Sequence, residues 1–222
     1  MSRLLALDTE TTGLKSKEGD HIIELAIVEI SRSPDAPYYH QLFNPDGREI
    51  APAAMEVHGH TPEFLADKPL FAERIEEILE FIGDDSTLVI HNAGFDLEFL
   101  RDEFMNAGLV WNQIPVIDTL KLAAKEFPGG RHSLDALCNR FGIDLSKRVK
   151  HGALIDTRLL AELYLAWKGQ SGLDFTTVSV KRSVIQTEIL GSMNDARVVV
   201  PRTVLEAPPA PSWAKHFEGI EL

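Results

Sequence analysis

The order of strand-like and helix-like segments constrains the fold of this chain most. Three short apolar runs come first, at residues 4–7, 21–30 and 38–43, and their short connections are typical of an antiparallel meander. Two further strand-like runs, at 88–91 and 116–117, then alternate with segments of helical spacing. This order predicts an α/β fold in which helices flank one mixed five-stranded sheet.

Helical periodicity and caps predict the remaining elements and a domain boundary. Helices are expected at 71–82, 95–104, 119–127, 133–141 and 153–167, with Ser133 as an N-cap. After Trp167 the chain becomes rich in Ser, Thr and Pro and poor in core residues. We therefore expect a catalytic domain at 1–167, a flexible linker at 168–195 and an extended C-terminal tail at 196–222.

The composition excludes several classes of protein. With 44% hydrophobic residues the chain can build a globular core, so a wholly disordered protein is excluded. No run approaches the roughly 18 apolar residues of a membrane span, and an acid already follows at Asp8, so a cytoplasmic protein is expected. The single cysteine, Cys138, excludes a disulfide framework and shares helical spacing with core residues.

The charge of the chain is unevenly distributed. The formal net charge is −12, and residues 168–222 are neutral, so the whole excess of acid lies in residues 1–167. Within that acidic body the segment 121–151 is basic. This segment is either a solvated helical face or a track for a phosphate backbone.

Two carboxylates lie close together at the end of the first strand. Asp8 and Glu10 are two residues apart, so their side chains point to the same face of the strand. Like charges at this spacing resist joint ionisation unless a cation neutralises them, and oxygen ligands favour Mg²⁺ or Mn²⁺. Taken alone the pair is a weak signal, because about one such pattern is expected by chance in so acidic a chain.

Two further segments bring acids to comparable positions. Asp96 follows a buried strand and a turn, at the start of a helix, where an acid is also common as a partner of the helix dipole. Gly152 indicates that His151 lies in a loop while Asp156 lies in the first turns of the next helix. A loop histidine can then reach over a site that Asp156 helps to build, and histidine can take a proton from water near neutral pH.

These four acids and one histidine form the residue set for two-metal-ion hydrolysis of a phosphodiester. In that chemistry one ion activates water, the other stabilises the departing oxygen, and both neutralise phosphate charge. Each acid has an ordinary structural explanation alone, but their shared position at strand ends and on a facing helix favours the catalytic interpretation.

The chain also resembles a known family. The DEDDh exonuclease family, in particular the proofreading subunits of bacterial replicative polymerases, has three motifs that are similar to residues 8–14 (DTETTGL), 91–96 (HNAGFD) and 151–156 (HGALID). The resemblance covers residues 4–167. It implies a ribonuclease-H-like fold and 3′→5′ removal of nucleotides from a DNA end as nucleoside monophosphates.

The resemblance also implies a role for each matching residue. Asp8, Glu10 and Asp156 would ligate the first divalent ion, and Asp8 would bridge to the second. Asp96 would act mainly through water, and His151 would be the general base. The terminal nucleotide would lie against the set Thr11, Leu14 and His58, together with Asp8, Glu10 and Asp156.

The C-terminal part resembles binding segments of replication proteins. Gln170, Leu173 and Phe175 match a Gln-x-x-Leu-x-Phe peptide that binds the beta sliding clamp, and 196–222 is expected to bind the polymerase subunit. Two alternatives stay open. The same five site residues occur in RNA-trimming relatives, and an inactive adaptor between clamp and polymerase would keep the tail, although its retention of the five residues argues against it.

Overall fold

The computed structural model describes residues 2–111, 114–146, 148 and 150–171, and its strands form one sheet in the order β3-β2-β1-β4-β5. The strands are Arg3–Thr11 (β1), Ile22–Glu29 (β2), Tyr38–Leu42 (β3), Ser86–Ile90 (β4) and Val116–Asp118 (β5). β1, β2 and β3 are antiparallel neighbours, whereas β4 lies parallel to β1 and β5 parallel to β4. The predicted mixed five-stranded sheet is thus confirmed.

Helices cover both faces of this sheet. They are Pro52–His58 (α1), Pro62–Leu65 (α2), Ile75–Ile82 (α3), Ala93–Asn106 (α4), Thr119–Glu126 (α5), Leu134–Phe141 (α6) and Ala153–Ser171 (α7). Two 3₁₀ turns, Ser16–Glu18 and Phe71–Arg74, complete the regular structure of the described residues. The predicted N-cap is confirmed, because the Ser133 hydroxyl accepts a hydrogen bond from the Ala136 N–H.

The central strand β1 divides the core into two parts. Leu5 and Leu7 point to one face and pack in a cluster with α3 and α4. Ala6 points to the other face and packs with residues of α6 and α7. Because side chains alternate along a strand, Asp8 and Glu10 continue the Ala6 face and project towards α7.

Two short helices between β3 and α3 lie outside the elements predicted above. α1 begins with Pro52 at its first position and ends before Gly59, which adopts the left-handed backbone conformation with φ of 79°. α2 begins with Pro62 after the N-cap Thr61, whose hydroxyl accepts from the Phe64 N–H. Proline at the first position and glycine after the last are ordinary helix boundary signals, but both helices are too short to show a periodicity.

The last helix corrects the boundary expected after Trp167. α7 continues to Ser171, so the first residues of the expected linker, including the backbone of Gln170, are helical. A single glycine, Gly169, destabilises a helix by only about 1 kcal/mol relative to alanine. The Lys168 ammonium lies 5.0 Å from the centre of the Tyr164 ring one turn earlier, a contact within the helix. Within the described residues no helix, α7 included, is long and apolar enough to span a membrane.

Candidate active site

Three carboxylates from two elements meet on the α7 side of the sheet. Oxygen atoms of Asp8, Glu10 and Asp156 all lie within 4.8 Å of one another. Asp8 and Glu10 are partly exposed, while Asp156 is 4% exposed. A divalent ion with ligand distances of about 2.1 Å holds its oxygens about 3–4 Å apart, so small side-chain rotations suffice for all three to share one ion. The donor set is all oxygen, which fits Mg²⁺ or Mn²⁺.

The start of α7 sets the position of the Asp156 backbone. The Asp156 N–H donates to the Gly152 carbonyl at 3.0 Å, so the helix begins directly after the glycine, as predicted. Ala153 and Thr157 are fully buried beneath this first turn. The fit of these small side chains against the sheet allows α7 to present Asp156 to β1 at close range.

Asp96 approaches the same acids from the opposite helix layer. It lies in the first turn of α4, is 3% exposed, and accepts a 2.8 Å hydrogen bond from the Thr9 hydroxyl on β1. The preceding Asn92 has φ of 65°, a left-handed conformation that lets the chain turn sharply from β4 into α4. Of the neighbouring charges, Asp96 has the largest effect on the pKa of Asp8.

Burial and mutual repulsion raise the pKa values of Asp8, Glu10 and Asp96, which together with Asp156 form the acid cluster of this site. Burial raises the pKa of Asp8 well above its usual range, and Asp96 and Glu10 raise it further. Burial, and then Glu24 and Asp156, raise the pKa of Glu10 to about 8. Burial raises the pKa of Asp96 to about 7, against the lowering effect of the Thr9 hydroxyl. A nearby cation would remove this repulsion and allow the carboxylates to ionise together.

Arg148 packs against Asp156, the member of the acid cluster that lies on α7. Its Nε donates to Asp156 Oδ1 and one terminal nitrogen to Asp156 Oδ2, both at 2.6 Å, while its other terminal nitrogen contacts Asp135. The Arg148 side chain is only 8% exposed. This residue of the basic segment 121–151 is therefore neither on a solvated face nor on an open phosphate track, so both interpretations are wrong for Arg148.

His151 lies in the loop before α7, as predicted, and its side chain is half exposed. Its Nδ1 lies 2.7 Å from Arg148 and 3.1 Å from Asp156 Oδ2. A guanidinium can only donate and a carboxylate can only accept, so the two contacts select opposite tautomers. Pairing of Nδ1–H with Asp156 leaves Nε2 free to accept a proton, whereas pairing with Arg148 places the ring proton on Nε2.

Glu24 is a site neighbour that the sequence reasoning missed. It is the cross-strand partner of Glu10, is 4% exposed, and lies 2.8 Å from His40 Nε2 and 2.7 Å from His60 Nε2. Burial opposes its ionisation, but the two imidazoles lower the pKa of Glu24 to about 2. The apolar residues on both sides of Glu24 in the strand 21–30 were the available signal, since a buried carboxylate requires partners.

The candidate nucleotide contacts lie around the end of β1. The ladder is irregular between Glu10 and Thr11, and the buried Thr11 hydroxyl donates to the Gly13 carbonyl at 2.6 Å. Leu14 is 81% exposed directly beyond this turn. Leu14 thus lies beyond the end of the strand, with its side chain in solvent.

His58 reaches the same region from α1. It is 5% exposed, its Nε2 has no hydrogen-bond partner among the described residues, and burial lowers its pKa to about 4, so the imidazole is neutral near pH 7. The Ala51 N–H, at the start of α1, donates to the Thr12 carbonyl at 2.8 Å and ties this helix to the end of β1. His58 is thus a buried residue at the end of a helix whose start is held at the end of β1.

Comparison with known proteins identifies the family. Residues 5–164 match the family described as RNase_T: Exonuclease. The DNA polymerase III subunit epsilon of Salmonella typhimurium is 47% identical over 188 residues, covering 79% of this chain and 75% of the relative. The subunit of the same name from Rickettsia typhi is 38% identical over 224 residues and covers 99% of this chain and 96% of the relative.

Solved structures agree with this match. A structure titled "Exonuclease X in complex with 5′ overhanging duplex DNA" is 30% identical, with a TM-score of 0.58, and covers 77% of this chain and 93% of that one. A zinc-bound complex of E. coli ExoI with single-stranded DNA has a TM-score of 0.65 at 21% identity, covers 78% of this chain and 42% of that one, and supports the fold alone. The expected ribonuclease-H-like fold is confirmed. The chain therefore belongs to the exonuclease family that includes the epsilon subunits of bacterial DNA polymerase III.

Proposed function

We propose that this 3′→5′ exonuclease removes mismatched 3′-terminal nucleotides from DNA by two-metal-ion hydrolysis, with the acid cluster as its metal site. The observation that carries the proposal is the approach of Asp8, Glu10 and Asp156 to within 4.8 Å, with buried Asp96 beside them. Four carboxylates this close together, three of them with raised pKa values, destabilise a fold, and a bound divalent cation would offset their repulsion.

The residues fit two Mg²⁺ or Mn²⁺ ions. Asp8, Glu10 and Asp156 would hold one ion, Asp8 would also hold the second, and Asp96 would support it from the α4 side. Bound divalent ions supply water activation and neutralise charge on the phosphate. The irregular end of β1 follows Glu10, and His58 has Glu24, the cross-strand partner of Glu10, among its neighbouring charges. We assign Thr11, Leu14 and His58 to the terminal nucleotide.

His151 is assigned the role of general base. In the tautomer that pairs Nδ1–H with Asp156, its Nε2 can accept a proton from the attacking water. The half-exposed ring lies in a loop, so it can turn between Arg148 and Asp156 without disturbing α7. Asp156 would then serve both as a metal ligand and as the group that selects the tautomer.

A labelled primer with a 3′ mismatch tests the function directly. In Mg²⁺ we expect shortening by one nucleotide at a time, which EDTA and Asp8→Ala both abolish, while the exposed control Asp35→Ala keeps full activity. Equal or faster trimming of an RNA primer would favour an RNA-trimming enzyme. Inactivity on both substrates, with clamp binding intact, would favour an adaptor.

The relatives are subunits of DNA polymerase III, and this chain shares that replication context. We propose that residues 170–175 bind the beta sliding clamp and that 196–222 bind the polymerase III alpha subunit. The side chain of Gln170 and all of Leu173, Phe175 and 196–222 lie outside the described residues. Alanine at Gln170, Leu173 and Phe175 should weaken clamp binding and leave hydrolysis of free DNA intact; unchanged clamp affinity would refute the assignment.

Such tethering also fits the charge of the chain. A net charge of −12 disfavours tight binding of DNA by the exonuclease alone. Attachment to the clamp and the polymerase would instead supply a high local concentration at the primer end. A mismatched terminus unpairs at a lower cost than a matched one, so its single strand would reach the acid cluster more often.

A further inference from the structure

Arg148 occupies an unusual position for a basic residue in an exonuclease. Its side chain is 8% exposed, next to a cluster of carboxylates, and so is shielded from a passing phosphate backbone. A buried arginine is tolerated when acceptors satisfy its N–H groups. Its acceptors here come from three segments: Asp156 on α7, Asp135 on α6 and His151 in the loop between them.

The contact with Asp156 has a geometry that only arginine provides. Two parallel N–H donors meet the two carboxylate oxygens, each at 2.6 Å, so the planar fork fixes the plane of the carboxylate. Oδ1 accepts one of these hydrogen bonds and keeps a second lone pair, whereas Oδ2 also faces His151 Nδ1 at 3.1 Å. Asp156 can therefore be held by Arg148 and still offer oxygen to a cation.

The contact with Asp135 anchors Arg148 at its other end. Asp135 lies in the first turn of α6, and α6 packs with α7 in one hydrophobic cluster. The guanidinium thus bridges the beginnings of two packed helices, which limits the rotation of the Asp156 side chain. Without this bridge Asp156 would face Asp8 and Glu10, and like-charge repulsion would turn it away from them.

We propose that Arg148 is a positioning residue that holds Asp156 in the orientation required for metal binding, and that it acts through Asp156 rather than through contact with DNA. The proposal rests on the proposed role of Asp156 as a metal ligand. Groups that orient a metal ligand are worth about 10–100-fold in metal affinity or activity.

Titration of the full chain with Mn²⁺ alone, followed by electron paramagnetic resonance, separates orientation from charge. For Arg148→Met we expect Mn²⁺ to bind about 10–100-fold more weakly. Loss of a positive charge by itself would tighten binding, so the sign of the change is decisive. Arg148→Lys keeps the charge but loses the planar fork, and it should bind Mn²⁺ nearly as weakly as the methionine variant.

The control is Arg140→Met, which removes an exposed arginine of α6 that lies 4.4 Å over the Phe127 ring, and it should bind Mn²⁺ like the parent. Asp135→Ala provides a second variant if Arg148 is needed for folding, and it should weaken Mn²⁺ binding by a smaller factor. Unchanged or tighter Mn²⁺ binding in the Arg148 variants, or full rescue by lysine, would overturn the proposal.

Kinetics distinguish this proposal from a direct role in binding DNA. At a metal concentration that just saturates the parent, the Arg148→Met variant should lose kcat with little change in KM for the primer. A raised KM with unchanged Mn²⁺ affinity would instead make Arg148 a DNA contact and overturn the proposal. The function proposed above fails by a different result, namely activity that survives Asp8→Ala.

Discussion

The two sides of the acid cluster are built differently. On the sheet side, Asp8 and Glu10 stand on the central strand, which hydrogen bonds to a neighbour on each edge, so the backbone fixes their positions. On the helix side, Asp156 is held by side-chain hydrogen bonds from Arg148. On the sheet side the backbone forces the carboxylates of Asp8 and Glu10 close together. On the helix side the guanidinium of Arg148 compensates the charge of Asp156. The difference implies that metal binding chiefly relieves the charge repulsion between Asp8 and Glu10. It also implies that side chains adjust during catalysis on the helix side, where Asp156 is held by side-chain contacts.

The largest expected effect comes from the helix side. His151→Gln should lower kcat about 10²–10⁴-fold, because glutamine cannot take the proton from water, and Mn²⁺ affinity should stay close to that of the parent. Single-turnover digestion of a mismatched primer at saturating enzyme measures the rate. His132→Gln is the matched control, since His132 also lies in a loop before a helix but bonds to the Phe127 carbonyl, outside the cluster. A loss below about tenfold would contradict the assignment of His151 as base.

The raised pKa of Glu10, on the sheet side, should make the stability of the protein depend on pH. The folded-state pKa of Glu10 is about 8 against an ordinary 4.5, so between these pH values the folded protein binds more protons than the unfolded chain. The free energy of unfolding therefore falls as pH rises through this range. In EDTA we expect Tm to drop by several degrees from pH 6 to pH 8.5, and saturating Mg²⁺ should reduce the drop.

Glu10→Gln isolates this effect from other titrating groups. His21, whose pKa is raised by its hydrogen bond to Glu103, contributes a fall of the same sign. The Glu10→Gln variant should flatten the slope measured in EDTA, while the exposed control Glu18→Gln should leave it unchanged. An identical slope in Glu10→Gln and the parent would mean that the pKa of Glu10 is not raised in the folded protein.

The same comparison explains what the sequence could reveal. Asp8 and Glu10 were predictable as neighbours because a period of two is a local property of any strand. The placement of His151 in a loop before α7 followed from Gly152, and the five strands followed from short apolar runs between turn signals. All of these are patterns within about ten residues of chain, where local geometry determines which side chains meet.

The contacts that the sequence did not reveal are long-range or cooperative. Arg148 belonged to a basic segment, and nothing in that segment indicates that its guanidinium turns inwards to Asp156. Glu24, His40 and His60 lie in three separate segments of the chain. They meet because of the register of β2 and β3 and the position of α1. Side-chain pairing across elements depends on tertiary packing, which sequence periodicity does not encode.

The smallest predicted effect tests the sheet side at its contact with α4. Thr9→Val removes the hydroxyl that donates to Asp96 at 2.8 Å and keeps the shape of the side chain. Because Asp96 is 3% exposed, the lost partner leaves a buried carboxylate less satisfied, and the free energy of unfolding should fall by about 1–3 kcal/mol. Chemical denaturation in EDTA measures this change.

Thr87→Val on the adjacent strand β4 is the control for that experiment, because within the described part of the chain the Thr87 hydroxyl has only a 3.4 Å contact with the exposed Ser2 hydroxyl. Divalent metal should recover part of the stability lost in Thr9→Val, since a cation near Asp8 stabilises the ionised form of Asp96 in place of the missing donor. If metal gave no such recovery, Asp96 would be held by α4 independently of the metal site. The sheet side of the acid cluster would then consist of the β1 residues alone.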